Sequence, residues 1–425
     1  MRKITAIALL TIRAALRSRS FAAAAFFLII IIAGLPFVIK GDGTPESRAD
    51  IFINYSFGLL MFVLSLIAAW SGAGAISLEI SGRQMQNVAV KPLNAFQVWA
   101  GKLTGLMAIN LFLLAAGGTL IAAMLNGITR PMEAGDGRRR GLRREIMSVY
   151  RTVLPIKASS SAGKTAAIGP GENHIWHFNS GMQNGRTPFA LIKFRFIPSP
   201  FSYQTPVSGH WRLSDGKGPD FINQTTTSSP NMTACLNASA LNISGALELE
   251  YTNLQTNPPV TVFFLSEEDL CLLLPESTFE SNLLRGLIMG FARLVFFTSL
   301  GMIAGALFTF PVAVFTSMGL LITALAGGLA RQIAEKGLWL NASHEQLSPA
   351  AAMLNEAARG LFRLLSAVFP PLDRFNPLAF LADSLFIPWS LAGEAFAVIG
   401  ILYPLVLMLI GAACLRRREI GIASP

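Results

Sequence analysis

The chain has 425 residues, of which 52% are hydrophobic and 14% charged, and a net charge of +10; its mean hydropathy is +0.51. Soluble globular domains carry about 25% charged residues, so this composition argues against an ordinary soluble enzyme and for an integral membrane protein. Basic residues that anchor the inner leaflet and a basic cluster in the long external loop share the positive balance, and no nucleic acid is needed to explain it.

Residues 1–20 carry Arg2, Lys3, Arg13, Arg17 and Arg19 around the apolar run 4–12. Arginines follow that run at once and no small-residue cleavage site closes it, so it does not read as a signal peptide. It reads as an interfacial amphipathic helix, its apolar face in the acyl boundary and its arginines toward the headgroups of membrane lipid. Six apolar runs then follow, at 21–39, 51–70, 103–125, 287–307, 311–329 and 391–415. Each is about as long as the ~20 residues that cross a bilayer as a helix. The N-terminal basic group, the second connection (Arg83, Lys91, Lys102) and the closing Arg416, Arg417 and Arg418 all fall on the cytoplasmic side by the positive-inside rule. The cluster "GRRRGLRRE" at 137–145 lies outside in this topology, but in a loop too long for the rule to act strongly.

Between the third and fourth runs the composition changes. "FALIKFRFIP" (189–198), "ALELEYTN" (246–253) and "VTVFFLSEED" (260–269) mix β-branched and aromatic residues with polar ones, and clusters of proline, glycine and asparagine separate them. This predicts a β-sandwich-like extracytoplasmic domain over about 152–275. Within it, Asn223, Asn231, Asn237 and Asn242 head glycosylation sequons that matter only in a host that glycosylates exported chains. Cys235 and Cys271 share that compartment, and spacing alone leaves a disulfide between them open. After the fifth run, 349–371 has the pattern of an amphipathic helix at the outer surface. The division is therefore 1–125 (interfacial helix and spans one to three), 126–283 (β-rich domain) and 284–425 (spans four to six).

Motifs for catalysis are missing from the reading. Gly163, Lys164 and Thr165 match the tail of a phosphate-binding loop, but Ala158 stands where the first glycine belongs and the flanks are serine-rich. His174 and His177 sit three apart, which on a strand puts them on opposite faces. Glu79, Arg293 and Glu394 fall toward span ends, where snorkelling suffices, so no midplane carboxylate suggests ion coupling. No enzyme activity, cofactor or metal is expected in this chain.

The connection between spans two and three is the remaining signal. "ISLEISGRQMQNVAVKPLNAFQVWAGKLTGL" has Glu79 at the end of one span, Lys91-Pro92, then Phe96 and Trp99, and Gly101-Lys102 opening the next span. Its pattern predicts a short helix flat on the inner surface, with Ala95, Phe96, Val98 and Trp99 at the membrane boundary. At these residues the sequence resembles the type-2 family of ATP-binding-cassette transporter permeases, particularly the branch associated with multi-copper enzyme maturation. Glu79, Lys91, Pro92, Gly101 and Lys102 match its pattern, Asn94 replaces the usual serine or threonine, and "LRRREIG" at 415–421 resembles its last cytoplasmic turn. The resemblance implies a six-span permease subunit in the inner (cell) membrane, driven by separate cytoplasmic ATPase subunits and paired with a second permease subunit. It also implies that Glu79, Arg83, Lys91, Pro92, Phe96, Trp99, Gly101 and Lys102 couple the chain to the ATPase. The alternative is a membrane-anchored scaffold whose β domain binds an envelope partner.

Overall fold

A computed structural model describes residues 2–38, 45–82, 94–133, 143–156, 166–180, 189–199, 207–214, 221–227, 231–237, 245–257, 259–264, 269–327, 349–368 and 370–417. The chain divides into two units: 1–146, 280–383 and 387–425 form one, and 147–279 with 384–386 form the other.

The first unit is helical. It contains α1 (Arg2–Arg17), α2 (Arg19–Val38), α3 (Pro45–Ser81), α4 (Ala95–Glu133), α5 (Phe279–Leu307), α6 (Phe310–Leu325), α7 (Pro349–Val368) and α8 (Pro377–Ala382). A last long helix runs from α9 (Trp389–Ala395) through a π-helical stretch, Phe396–Leu402, into α10 (Tyr403–Arg417). The four helices long and apolar enough to cross a membrane cover Ser47–Ser81, Ala95–Arg130, Phe279–Leu307 and Trp389–Cys414. The expected first and fifth spans correspond to α2 and α6, whose described apolar stretches are shorter, Phe26–Leu35 and Phe310–Leu325.

Small residues set how closely these helices approach. A Cβ on Gly301 would lie 2.2 Å from Ala69 O, one on Gly305 2.3 Å from Ala73 O, and one on Gly72 2.4 Å from Thr298 O. The backbones of α3 and α5 therefore touch, and the ascending order of the pairs makes them parallel; small residues four apart permit this. Gly117 meets Leu60 and Gly118 meets Leu287, while Asn110, two turns earlier in α4, donates to Thr298 Oγ1 at 3.2 Å, so α4 runs antiparallel to both. Gly400 packs on Ala292, and Tyr403 meets Phe296 edge-on, which sets the last helix parallel to α5. One end of the bundle thus gathers Glu79, the start of α4, the α5–α6 turn and the end of α10. At that turn Thr309 precedes α6 and a proline fills its first turn, as Pro311 suggested.

α1 departs from expectation. Its apolar side is covered by α4: a Cβ on Gly101 would lie 2.7 Å from Ile7 Cβ, and one on Gly105 2.7 Å from Ala8 O. The outward side carries Arg2, Lys3, Arg13 and Arg17 with the exposed Leu9, Leu10 and Leu16. Part of the apolar surface of α1 is taken by α4, where two glycines four apart open a groove for another backbone, while Leu9, Leu10 and Leu16 stay exposed.

The second unit is sheet-rich. Its strands are β1 (Ser148–Val153), β2 (Ala166–Ile168), β3 (Asn173–Asn179), β4 (Phe189–Arg195), β5 (Ile197–Ser199), β6 (Val207–Ser214), β7 (Phe221–Thr227), β8 (Asn231–Asn237), β9 (Ala246–Asn253), β10 (Thr261–Phe264) and β11 (Leu270–Thr278). They form sheets of order β1-β11-β4-β8, β2-β10-β5 and β3-β9-β6-β7. Alternate residues of β6, β9 and β10 are buried, as half-buried strands require, and the three sheets share one core that includes Phe178, Phe194, Trp211, Leu249, Tyr251, Val262 and Leu272. Leu385 adds a parallel bridge to Tyr150 at the edge of the first sheet.

His174 meets Trp176 edge-on at 4.6 Å, whereas His177 pairs with Glu248 at 3.5 Å on the opposite face. Burial lowers the His174 pKa from its usual value. Cys235 on β8 pairs in register with Leu191 of β4, and Cys271 on β11 pairs with Lys193 of the same strand. A whole strand therefore separates the two cysteines, and Cys271 is a free, buried thiol whose pKa burial raises.

Candidate functional site

The expected coupling residues divide into those the structure places and those outside its described residues. Arg83, Lys91 and Pro92 fall outside. Glu79, Phe96, Trp99, Gly101 and Lys102 lie at the bundle end that also carries α1 and the end of α10.

Lys102 Nζ forms an ion pair with Glu79 Oε1 and donates to Ala75 O at 2.6 Å. The lysine is 4% exposed and the glutamate 33%. The pair ties the last turns of α3 to the first turns of α4, closing the connection at 82–94 with a charged cross-link. A buried ammonium persists only when paired and hydrogen-bonded, and here the carboxylate and one helix carbonyl supply both needs. The partly exposed glutamate puts the pair at the edge of the bundle rather than deep in it.

Trp99 is fully buried. Its ring lies over Gly411 of α10, where a Cβ would come within 2.2 Å, and it belongs to an apolar cluster with Ile76, Val98, Leu106, Met302 and Met408. Phe96 is exposed, and so is Asn94, whose carbonyl accepts from the N–H groups of Gln97 and Val98 at 2.8 and 3.2 Å. The expectation of a separate flat helix through Trp99 is therefore corrected: Ala95–Trp99 is the first part of one continuous helix, α4, and Val98 and Trp99 face protein. The physical reason is the glycine at 411, which leaves a recess sized for an indole. Gly101 faces Ile7 of α1, so successive residues of α4 grip α10, α1 and α3 in turn.

The sequence places Arg293 toward a span end and does not single out Arg285, yet both are buried. Arg293 is not at a helix end: it lies midway along α5, 9% exposed, and donates to Leu372 O at 3.0 Å. Arg285, 7% exposed, donates to Ile387 O at 3.2 Å and lies 5.1 Å from the centre of the Trp389 ring. The apolar run that starts at 287 hid the fact that α5 begins eight residues earlier, at Phe279. Glu394 pairs with Arg374 at 2.9 Å and both are exposed. Among the described residues no group of three or more His, Cys, Asp or Glu side chains could hold a metal.

The fold defines a protein with four helices able to cross a membrane and a separate sheet-rich unit. No family model matches the chain, and no curated protein matches it.

Proposed function

We propose that the chain is the transmembrane permease subunit of an ATP-binding-cassette transporter, moving a substrate across the cell membrane with energy from separate cytoplasmic ATPase subunits. The carrying observation is the Glu79–Lys102 pair, which joins α3 and α4 on either side of the 82–94 connection. A force applied to that connection moves two long helices together, because their ends are cross-linked by charge and Trp99 and Gly101 lock α4 to α10 and α1. In this reading the bundle end with the basic N- and C-terminal segments faces the cytoplasm, α2 and α6 complete six spans, and the sheet-rich unit lies on the other side. A second permease subunit, identical or related, completes the pathway. The exposed Phe96 is one contact residue in this reading, to which the resemblance adds Arg83, Lys91 and Pro92, and Glu79, Trp99, Gly101 and Lys102 hold the start of α4 in place.

Affinity purification of the tagged chain from its native membranes, in mild detergent, tests the reading. The expected result is a co-purifying cassette ATPase whose hydrolysis falls when Phe96 and Lys91 are replaced by alanine while the complex remains intact. Recovery of the chain with an envelope protein and no ATPase supports instead a scaffold reading, which is favoured by one observation: the sheet-rich unit has a large core of its own.

A further inference from the structure

α1 has two sides, and α4 covers only one of them. Ile4, Ile7, Ala8, Thr11, Ile12 and Ala15 are its buried or half-buried residues, spaced so that they share one helix face, and the first four of them meet Gly101 and Gly105. On the opposite side, at 3.6 residues per turn, Arg2, Arg13 and Arg17 fall within an arc of about 60°. Leu9 and Leu16 border that arc on one flank and Leu10 on the other. The three arginines are exposed, and Leu9, Leu10 and Leu16 are 49%, 64% and 64% exposed. None of these arginines has a carboxylate partner among the described residues, and 1–20 contains no Asp or Glu. The depth of α1 follows from where it docks. Gly101 lies just before the apolar run 103–125 and Gly105 just inside it, so α1 sits where α4 enters the hydrocarbon. One residue, Ser18, links it to α2, whose apolar stretch is Phe26–Leu35.

We propose that the outward side of α1 is a binding surface for anionic lipid headgroups, and that the leaflet completes the seat that α4 begins. Neither bulk phase alone suits this side. Water leaves three leucines hydrated, which is unfavourable in proportion to their apolar area, and hydrocarbon leaves three guanidinium groups without partners. At the headgroup boundary both needs are met: the leucines enter the acyl region, and the arginine stems lie along it while their guanidinium groups reach the phosphates. The planar guanidinium fork donates two parallel hydrogen bonds to a phosphate. With no acidic residue to offset them, the arginines favour a leaflet of net negative charge over a zwitterionic one. Depth decides between lipid and a water-soluble acidic partner, because α1 is level with the start of an apolar run and one residue from α2. The sequence pattern puts the apolar face of α1 in the membrane, whereas the structure gives that face to α4 and leaves the mixed side to the lipid.

Amide hydrogen exchange on the full chain, one copy per lipid nanodisc, tests this without an ATPase or a substrate, so its outcome is independent of the coupling reading. In discs of phosphatidylcholine mixed with phosphatidylglycerol, the amides of 6–14 are expected to exchange about tenfold more slowly than in phosphatidylcholine alone, since each interfacial arginine adds to the attraction. Those of 298–305 in α5 should not change. High salt should erase the difference by screening. Arg13→Gln with Arg17→Gln should remove the lipid response, and Arg13→Lys with Arg17→Lys should retain it. Equal exchange of 6–14 in the two lipids overturns the proposal. So does an equal slowing of 298–305, a lipid response that survives in the double glutamine variant, or protection that arises only at two copies per disc. If the glutamine variant does not assemble, the wild-type lipid and salt comparisons decide alone.

Discussion

Lys102, at the start of α4, reaches back to Glu79 at the end of α3, and of the two side chains only the glutamate's is partly exposed. This asymmetry makes the two halves of the pair unequal under mutation. Breaking a buried pair costs about 3–5 kcal/mol when a charge is stranded, and the partial exposure of Glu79 puts this one toward the lower figure. Glu79→Gln strands a buried ammonium, whereas Lys102→Met leaves a carboxylate that can hydrate. Thermal unfolding in detergent should therefore show a larger drop for Glu79→Gln than for Lys102→Met. The reverse order contradicts the buried-lysine assignment.

The seat of α1 depends on Gly105, where a Cβ would lie 2.7 Å from Ala8 O. Overpacking of this kind costs about 1–3 kcal/mol, so Gly105→Ala should loosen α1 and speed trypsin cleavage after Arg13 and Arg17, which are exposed but held in helix while α1 is seated. Gly127 in the same helix has nothing within 4 Å of its added Cβ. Gly127→Ala should leave trypsin sensitivity unchanged and raise stability by up to about 1 kcal/mol.

Cys235 and Cys271 occupy strands on either side of β4. Two strand spacings amount to about 9.6 Å, beyond the ~7 Å limit for bridging Cα atoms. Thiol titration of the denatured, unreduced protein should therefore count three free cysteines, the full number in the sequence. A count of one, with a mobility shift on reduction, contradicts the strand order.

His174 supplies a pH signature through its contact with Trp176. Its folded pKa lies below the usual 6.5 because burial disfavours the imidazolium. The unfolded chain thus binds the proton first as pH falls. The stability this group contributes is full above 6.5 and is lost as pH drops through the folded value. Tryptophan fluorescence should titrate with a midpoint below 6.5, and His174→Gln should abolish that component. A midpoint at or above 6.5 contradicts the lowered pKa.

Much of the architecture was legible in the chain. Apolar runs located the long helices, and alternation marked β4, β9 and β10, because burial on one side leaves a period in the residues. What was illegible depended on partners distant in sequence. Trp99 looks like an interfacial aromatic until Gly411 is seen to accommodate it, and Lys102 looks like a flanking positive charge until α3 encloses it. The glycines at 101 and 105 were the available signal for the seat of α1, since a pair four apart at the start of a membrane helix invites close packing. Arg293 was misread because hydropathy finds the apolar part of a helix and not where the helix begins.

The central claim is that the connection between α3 and α4 receives mechanical work from an ATPase in the cytoplasm. Single cysteines at positions 83 and 91, in a background without native cysteines, provide the direct measurement in native membranes. The account predicts that membrane-impermeant maleimide labels them only in inside-out vesicles, and that a short bifunctional reagent cross-links them to a nucleotide-binding subunit. Labelling in intact cells, from the outside, contradicts it.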